Sequence, residues 1–171
     1  VGDIEAGYYM TLQPLMAEDL AIEGVSGGEL GIRGYIEAFD VETGESVWRT
    51  YTIPGPGEPG NETWEGDQWQ RGGGSVWITG SYDPDEKLTY WGIGNGGPWV
   101  GEARPGDNLY ATNLLALDIE TGEIVGNYDY QPSDTWDWDE VSAPFLIDDF
   151  EWDGRTFDAA VNVARNGYLY L

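Results

Sequence analysis

The sequence predicts an all-β protein built as a β-propeller, and three observations carry that prediction. The first is composition: 26 Gly, 9 Pro, 11 Tyr and 9 Trp in 171 residues. Aromatic side chains suit pleated surfaces, and Gly and Pro punctuate them with tight turns. The second is an internal repeat. The run AFDVETGESVW at 38–48 returns as ALDIETGEIVG at 116–126, with a degenerate copy, SYDPDEKLTYW, at 81–91. The third is spacing: the copies start 43 and 35 residues apart, close to the ~40 residues of a four-stranded propeller blade. About four such blades fit the chain, and natural propellers usually close with ~4–8.

Each copy has the same physical content. A strand alternates inward and outward, an Asp-x-x-Thr-Gly turn follows with Gly taking the positive φ, and the returning strand carries an aromatic. Asp40 and Asp118 are therefore read as turn formers, and Trp48, Trp91 and Trp99 as packing groups. The copy at 116–126 ends in Gly126, so one docking aromatic is missing. Further strands are predicted at 34–39, 48–53, 75–79, 88–94, 157–164 and 168–171. Asn166-Gly167 between apolar alternations reads as a type I′ hairpin. The Pro/Gly-rich stretches 54–60 and 92–107 are long loops, where sites are carried on a rigid scaffold. No linker divides the chain, so residues 1–171 are expected to be part of a single β-propeller domain. The final strand stops without a turn, which suggests an internal piece of a longer propeller whose isolated form would expose blade edges.

Charge narrows the function. With 7 Lys+Arg against 32 Asp+Glu, the net charge is −25, which argues against nucleic acid and anionic membranes as partners. A lysine-poor acidic surface suits high salt, where screening weakens self-repulsion; an ordinary acidic secreted protein is the alternative. The chain has no Cys and no His. Disulfides, Cys-ligated metals and a Ser-His-Asp arrangement are excluded within it, so acid–base chemistry falls mainly to carboxylates. No apolar run approaches the ~18 residues of a membrane span.

Several motifs, in order, then resemble one family. They are SGGELGIRGY at 26–35, the Ala38-x-Asp40-x-x-Thr43-Gly44 turn, GGGSVW at 72–77 and Tyr82-Asp83-Pro84. Gly92-x-Gly94-Asn95, Pro98-Trp99, RPGDNLY at 104–110 and Trp136-Asp137 follow. Together they resemble the methanol/ethanol family of pyrroloquinoline quinone (PQQ)-dependent alcohol dehydrogenases, from about Thr11 to Leu171. The resemblance implies an eight-bladed quinoprotein propeller with tryptophan-docked blades, with PQQ and one Ca²⁺ or lanthanide ion in its central funnel. It assigns Glu29 and Asn95 to the metal and Trp77 to the floor beneath the quinone. Ser26, Gly27 and Gly28 fall on the loop at the cofactor's edge, and Thr11 matches a threonine that hydrogen-bonds a PQQ carboxylate. The family's vicinal cysteine pair and its basic residue near the quinone oxygens fall outside residues 1–171.

The stretch TWDWD, 135–139, acquires a role from the same resemblance. Asp137 matches the catalytic aspartate, near the metal, which takes the alcohol's hydroxyl proton as hydride passes to the quinone. Asp139 occupies the place where the lanthanide-using branch carries an extra acidic ligand, and a trivalent hard cation rewards one more carboxylate than a divalent one. If 137–139 is extended, the period of two sends Asp137 and Asp139 toward the funnel and Trp136 and Trp138 into the blade. The implied activity is oxidation of a small primary alcohol in a periplasmic or other extracytoplasmic compartment. Electrons would pass to a cytochrome c-type acceptor, and a homodimer is the candidate assembly. The alternative is a non-enzymatic propeller that kept the repeat as a scaffold; binding of carbohydrate by exposed aromatics is a third, weaker reading.

Overall fold

Gly and Asx turns cut the chain into short strands, and a computed structural model, describing residues 2–171, arranges these in three antiparallel sheets. The first sheet contains β1 (Leu15–Ala17), β2 (Leu20–Gly24), β3 (Tyr35–Asp40) and β4 (Ser46–Tyr51), in sequence order across the sheet. The second contains β5 (Ser81–Asp83), β6 (Leu88–Gly92), β7 (Asn113–Asp118) and β8 (Ile124–Asp129), again in order. The third contains β9 (Phe145–Trp152), β10 (Arg155–Val163) and β11 (Leu169–Tyr170), ordered β11-β10-β9.

The repeat is structural as well as sequential. In both β3–β4 and β7–β8 the turn Asp holds its own loop: Asp40 Oδ1 accepts from the Thr43 amide at 2.7 Å and hydroxyl at 2.8 Å, and Asp118 Oδ1 from those of Thr121 at 2.9 and 2.8 Å. Gly44 and Gly122 take φ of 71° and 72°. These bonds draw both aspartate pKa values below the usual carboxylate range, the Thr43 amide leading for Asp40 and the Thr121 hydroxyl for Asp118. Even the register slip recurs, between Ala38 and Phe39 and between Ala116 and Leu117.

The blade count differs from expectation. The degenerate copy at 81–91 is the β5–β6 hairpin of the same sheet as β7–β8, so it marks no blade of its own. About four blades become two four-stranded sheets and a three-stranded one, because the excursions at 52–80, 93–112 and 130–144 consume the residues that a further blade would need. The predicted strand at 75–79 also lies outside the sheets. Its amides serve a different end: Val76 N donates to Val25 O at 2.7 Å, and Ser75 O accepts from Gly94 N at 2.8 Å, so the segment laces the inner ends of the first two sheets together. At Asn166-Gly167 the hairpin forms, but only Gly167 has positive φ, at 86°. A type I′ turn would need both residues there.

The main core lies between the first two sheets, where Ile22, Ile36, Val76, Trp91, Ile93, Leu115 and Leu117 pack together. Trp48 bridges the seam. Its Nε1 donates to Ile119 O of the second sheet at 2.9 Å, and its ring covers Gly122, where a Cβ would come within 2.5 Å of the indole. Trp91 is likewise buried, but Trp99 is 53% exposed and is not the packing group expected. Pro98 and Trp99 use their carbonyls, as acceptors for Arg104.

Candidate functional site

The inner ends of the two four-stranded sheets and the lacing segment leave a cavity of ≈ 260 Å³, lined by Tyr9, Thr11, Ser26, Gly27, Glu29, Ser75, Trp77 and Asp139. Six of these eight were singled out from sequence. Thr11 Oγ1 shares a hydrogen with Ser26 Oγ at 2.8 Å and donates to Trp77 O at 3.3 Å, which fixes one edge. Gly28 opens a short 3-10 turn, Gly28–Leu30. A Cβ at Gly28 would sit 3.1 Å from Ser75 Oγ, so glycine lets this loop lie close against Ser75, with Asn95 Oδ1 at an ordinary 3.9 Å beyond it. Glu29, next along, is exposed and projects at the rim.

Asn95 joins the acids. Its Nδ2 donates to Asp137 Oδ1 at 2.7 Å, and its backbone amide meets Asp139 Oδ1 at 3.3 Å. Gly94 permits the second contact, since a Cβ there would lie 2.9 Å from that carboxylate oxygen. Asn95 is 3% exposed, yet its Oδ1 has no hydrogen-bond partner. An orphaned acceptor of this kind costs about 1–3 kcal/mol unless something fills the space beside it. Burial raises the Asp139 pKa, opposed by the Asn95 amide, by Arg165 and by a hydrogen bond from Trp77, with Asp137 adding to the rise.

The period-two expectation for 137–139 is corrected. Asp137 has φ of 62°, so the stretch is not extended, and the indoles do not enter the blade. Trp136 is 68% exposed and stacks on Trp138, ring centroids 5.9 Å apart and planes at 22°. Both acids nevertheless reach Asn95.

Two residues that sequence reasoning passed over hold this loop. Asp134 is buried, with Oδ1 accepting from Trp136 N and Oδ2 from Trp138 N, each at 3.0 Å. Arg104 is fully buried and donates to Pro98 O, Asn108 Oδ1, Trp99 O and Asp134 O. The signal for Asp134 was present: an Asp two residues before a backbone N–H it can accept from is an Asx-turn former. Among an abundance of acids it did not stand out.

The ligand set is open. Among the described residues no three acidic side chains are grouped closely enough to hold a metal ion by themselves. Glu29, Asn95, Asp137 and Asp139 supply only oxygen donors, the kind that hard cations such as Ca²⁺ take. The chemistry of the donors fits such an ion, and Asn95, with its unpartnered Oδ1, is the residue on which Asp137 and Asp139 meet. A larger cavity, ≈ 400 Å³, lies at the outer seam against Arg49, Tyr51, Tyr110 and the Thr121–Gly122 turn. Its cation, Arg49, is already paired with Glu37 at 2.7 Å, so it gathers no converging polar set.

Residues 2–171 match the family described as PQQ: glucose/ethanol/alcohol dehydrogenase, beta-propeller domain. The methanol dehydrogenase [cytochrome c] subunit 1 of Methylorubrum extorquens is 38% identical over 98% of this chain and 30% of its own length. The lanthanide-dependent methanol dehydrogenase of Methylacidiphilum fumariolicum is 36% identical over 99% of this chain and 31% of its own. A solved europium-containing methanol dehydrogenase superposes with a TM-score of 0.92 at 36% identity, covering 99% of this chain and 32% of that one. The chain thus spans about a third of the length of these relatives. On the match of its propeller sequence and of its backbone, the chain belongs to the family of PQQ-dependent glucose, ethanol and alcohol dehydrogenases, as a part of their β-propeller domain.

Proposed function

We propose that the protein containing this chain oxidises a primary alcohol to the aldehyde with PQQ and a bound Ca²⁺ or lanthanide ion. Residues 1–171 would supply one wall of the funnel in a single eight-bladed domain. The observation that carries the reading is the meeting of Asp137 and Asp139 on Asn95, whose buried Oδ1 has no partner within the chain. Glu29, Asn95, Asp137 and Asp139 are the proposed ligands, and the fourth acidic or amide oxygen at Asp139 favours a trivalent ion. Trp77, half-buried in the cavity, offers a flat apolar floor, with Thr11, Ser26, Gly27 and Gly28 as polar and backbone contacts at the edge. When bound, PQQ supplies the two-electron acceptor and the cation its Lewis acidity.

In this scheme the Asp137 carboxylate accepts the proton of the alcohol hydroxyl, while Asn95 Nδ2, bonded to Oδ1, orients that carboxylate. Relatives whose names specify cytochrome c motivate a cytochrome c-type electron acceptor, and an extracytoplasmic, periplasmic setting goes with it. Among the described residues no helix is long and apolar enough to cross a membrane. The meeting of two carboxylates on one buried amide at the cavity weighs against the scaffold alternative.

The test is made on the full-length protein from its native source: metal analysis by mass spectrometry, a PQQ absorbance spectrum, and turnover of Asp137→Asn. We expect PQQ, one Ca²⁺ or lanthanide ion, and a variant that keeps both but loses about 10²–10⁴-fold in kcat. Full activity in Asp137→Asn removes it from the base role, and absence of PQQ and metal returns the chain to the scaffold reading.

A further inference from the structure

We propose that Asp134, anchored by the buried Arg104, is a positioning residue that sets the placement of Asp137 against Asn95. The inference rests on Asp137 being the base of the reading above.

Asp134 is 2% exposed, and each of its carboxylate oxygens accepts one backbone N–H, from Trp136 and from Trp138. Those two amides flank Asp137. Between them Asp137 adopts φ of 62°, a left-handed conformation that is disfavoured for a non-glycine residue. Two charge-assisted hydrogen bonds offset such a cost and hold the residue in place. In that conformation Asp137 Oδ1 lies 2.7 Å from Asn95 Nδ2.

Arg104 carries the same unit to the other side of the contact. It is 0% exposed, and its hydrogen bonds run to three carbonyls and one amide oxygen, with no carboxylate among them. Its guanidinium lies against Gly96, the residue after Asn95, where a Cβ would come within 2.7 Å of Cζ. It also bonds Asp134 O, so one buried cation spans the Asn95 loop and the Asp137 loop. The separation of the two site residues is therefore set by this strut, outside any sheet.

The test uses the full-length protein with Asp134→Ala and Asp134→Asn, and Asp137→Asn as control. The stacking of Trp136 on Trp138 is to be read without any turnover, as the exciton couplet in the far-ultraviolet circular dichroism difference spectrum against Trp136→Phe. Asp134→Ala is expected to lose the couplet and about 10²-fold in kcat, the scale of a misplacement of about 1 Å, with KM for the alcohol changed by less than about 3-fold. Asp134→Asn, keeping one acceptor oxygen, should fall between. Wild-type kcat in a folded Asp134→Ala, or in Asp134→Asn if the alanine variant does not fold, overturns the proposal. So does a KM that rises while kcat holds. If Asp137→Asn turns over normally, the base reading fails instead, and a couplet lost in Asp134→Asn then still identifies the clamp on the loop.

Discussion

At the seam between the first two sheets the Trp48 indole bonds Ile119 O and Thr50 Oγ1 bonds Gly122 O at 2.6 Å, while deeper in the same core the Trp91 Nε1 donor is buried without a partner. At the funnel wall Asn95 Oδ1 is buried without a partner, Asp139 is pushed toward protonation by burial, and Asp137 sits at positive φ. Both regions are built where a loop of one sheet meets another element, from the same stock of Gly, Asx and Trp. The seam uses them to satisfy itself. The wall leaves them unsatisfied and strained, which a fold tolerates only where the surroundings over-determine the geometry. What distinguishes the wall is that an orphaned acceptor, two carboxylates and a left-handed aspartate meet at one place.

The largest effect that separates the two regions should come from Trp48→Ala. Removing a buried indole from a filled seam costs about 3–5 kcal/mol, read as a drop in denaturant midpoint. It should leave cation binding by the folded fraction unchanged, because the Trp48 indole is bonded to Ile119 O and packed on Gly122, and to none of the four proposed ligands. Lost cation affinity in the folded variant would show that seam and wall are one energetic unit.

Asp129 sharpens the boundary between them. It ends β8 where the loop toward Asp134 begins, and burial, with the nearby Asp107 charge adding, lifts its pKa from 3.8 to about 6. A raised carboxyl pKa means that the folded state binds the proton more tightly than the unfolded chain. The contribution to stability is fully present below about pH 3.8 and is lost as pH rises through about 6. Asp129→Asn should therefore remove a downward step in stability across that window and be more stable at neutral pH by about 1–2 kcal/mol, after allowance for solvent screening. The general relief of a −25 charge at low pH affects both proteins and cancels in the difference. Parallel pH profiles would place the Asp129 proton outside the fold's energetics.

Much of the rim was legible in the sequence because its signals are local. Asp40, Thr43 and Gly44 lie within one turn, and so do their hydrogen bonds. The blade count was not, because hairpins β5–β6 and β7–β8 look alike as strings although they share a sheet, and only the 93–112 excursion between them separates the two cases. The wall was legible in part: the family motifs carried Thr11, Ser26, Glu29, Trp77 and Asp139 to one cavity. The contact of Asp137 with Asn95 and that of Arg104 with Asp134 O span 42 and 30 residues. Such contacts leave no periodicity to read. Trp99 failed for a related reason, since its backbone, and not its ring, is what Arg104 uses.

The smallest effect tests the asymmetry within the repeat itself. Gly126 stands where Trp48 stands in the other copy, in the middle of β8, without positive φ. A Cβ there would meet only Ala116 Cβ, at 3.8 Å, an ordinary contact. Gly126→Ala should therefore stabilise the protein by about 0.5–1 kcal/mol through reduced freedom of the unfolded chain. Gly122→Ala, at φ 72° and under the Trp48 ring, should do the opposite. In place of an indole, the β8 side of the third sheet has the tyrosine cluster of Tyr128, Tyr130 and Tyr170, with centroids 4.9–5.4 Å apart. If Gly126→Ala instead destabilises, close approach of another backbone to Gly126 is required by the intact propeller, and the missing tryptophan is a fitted contact instead of a vacant one.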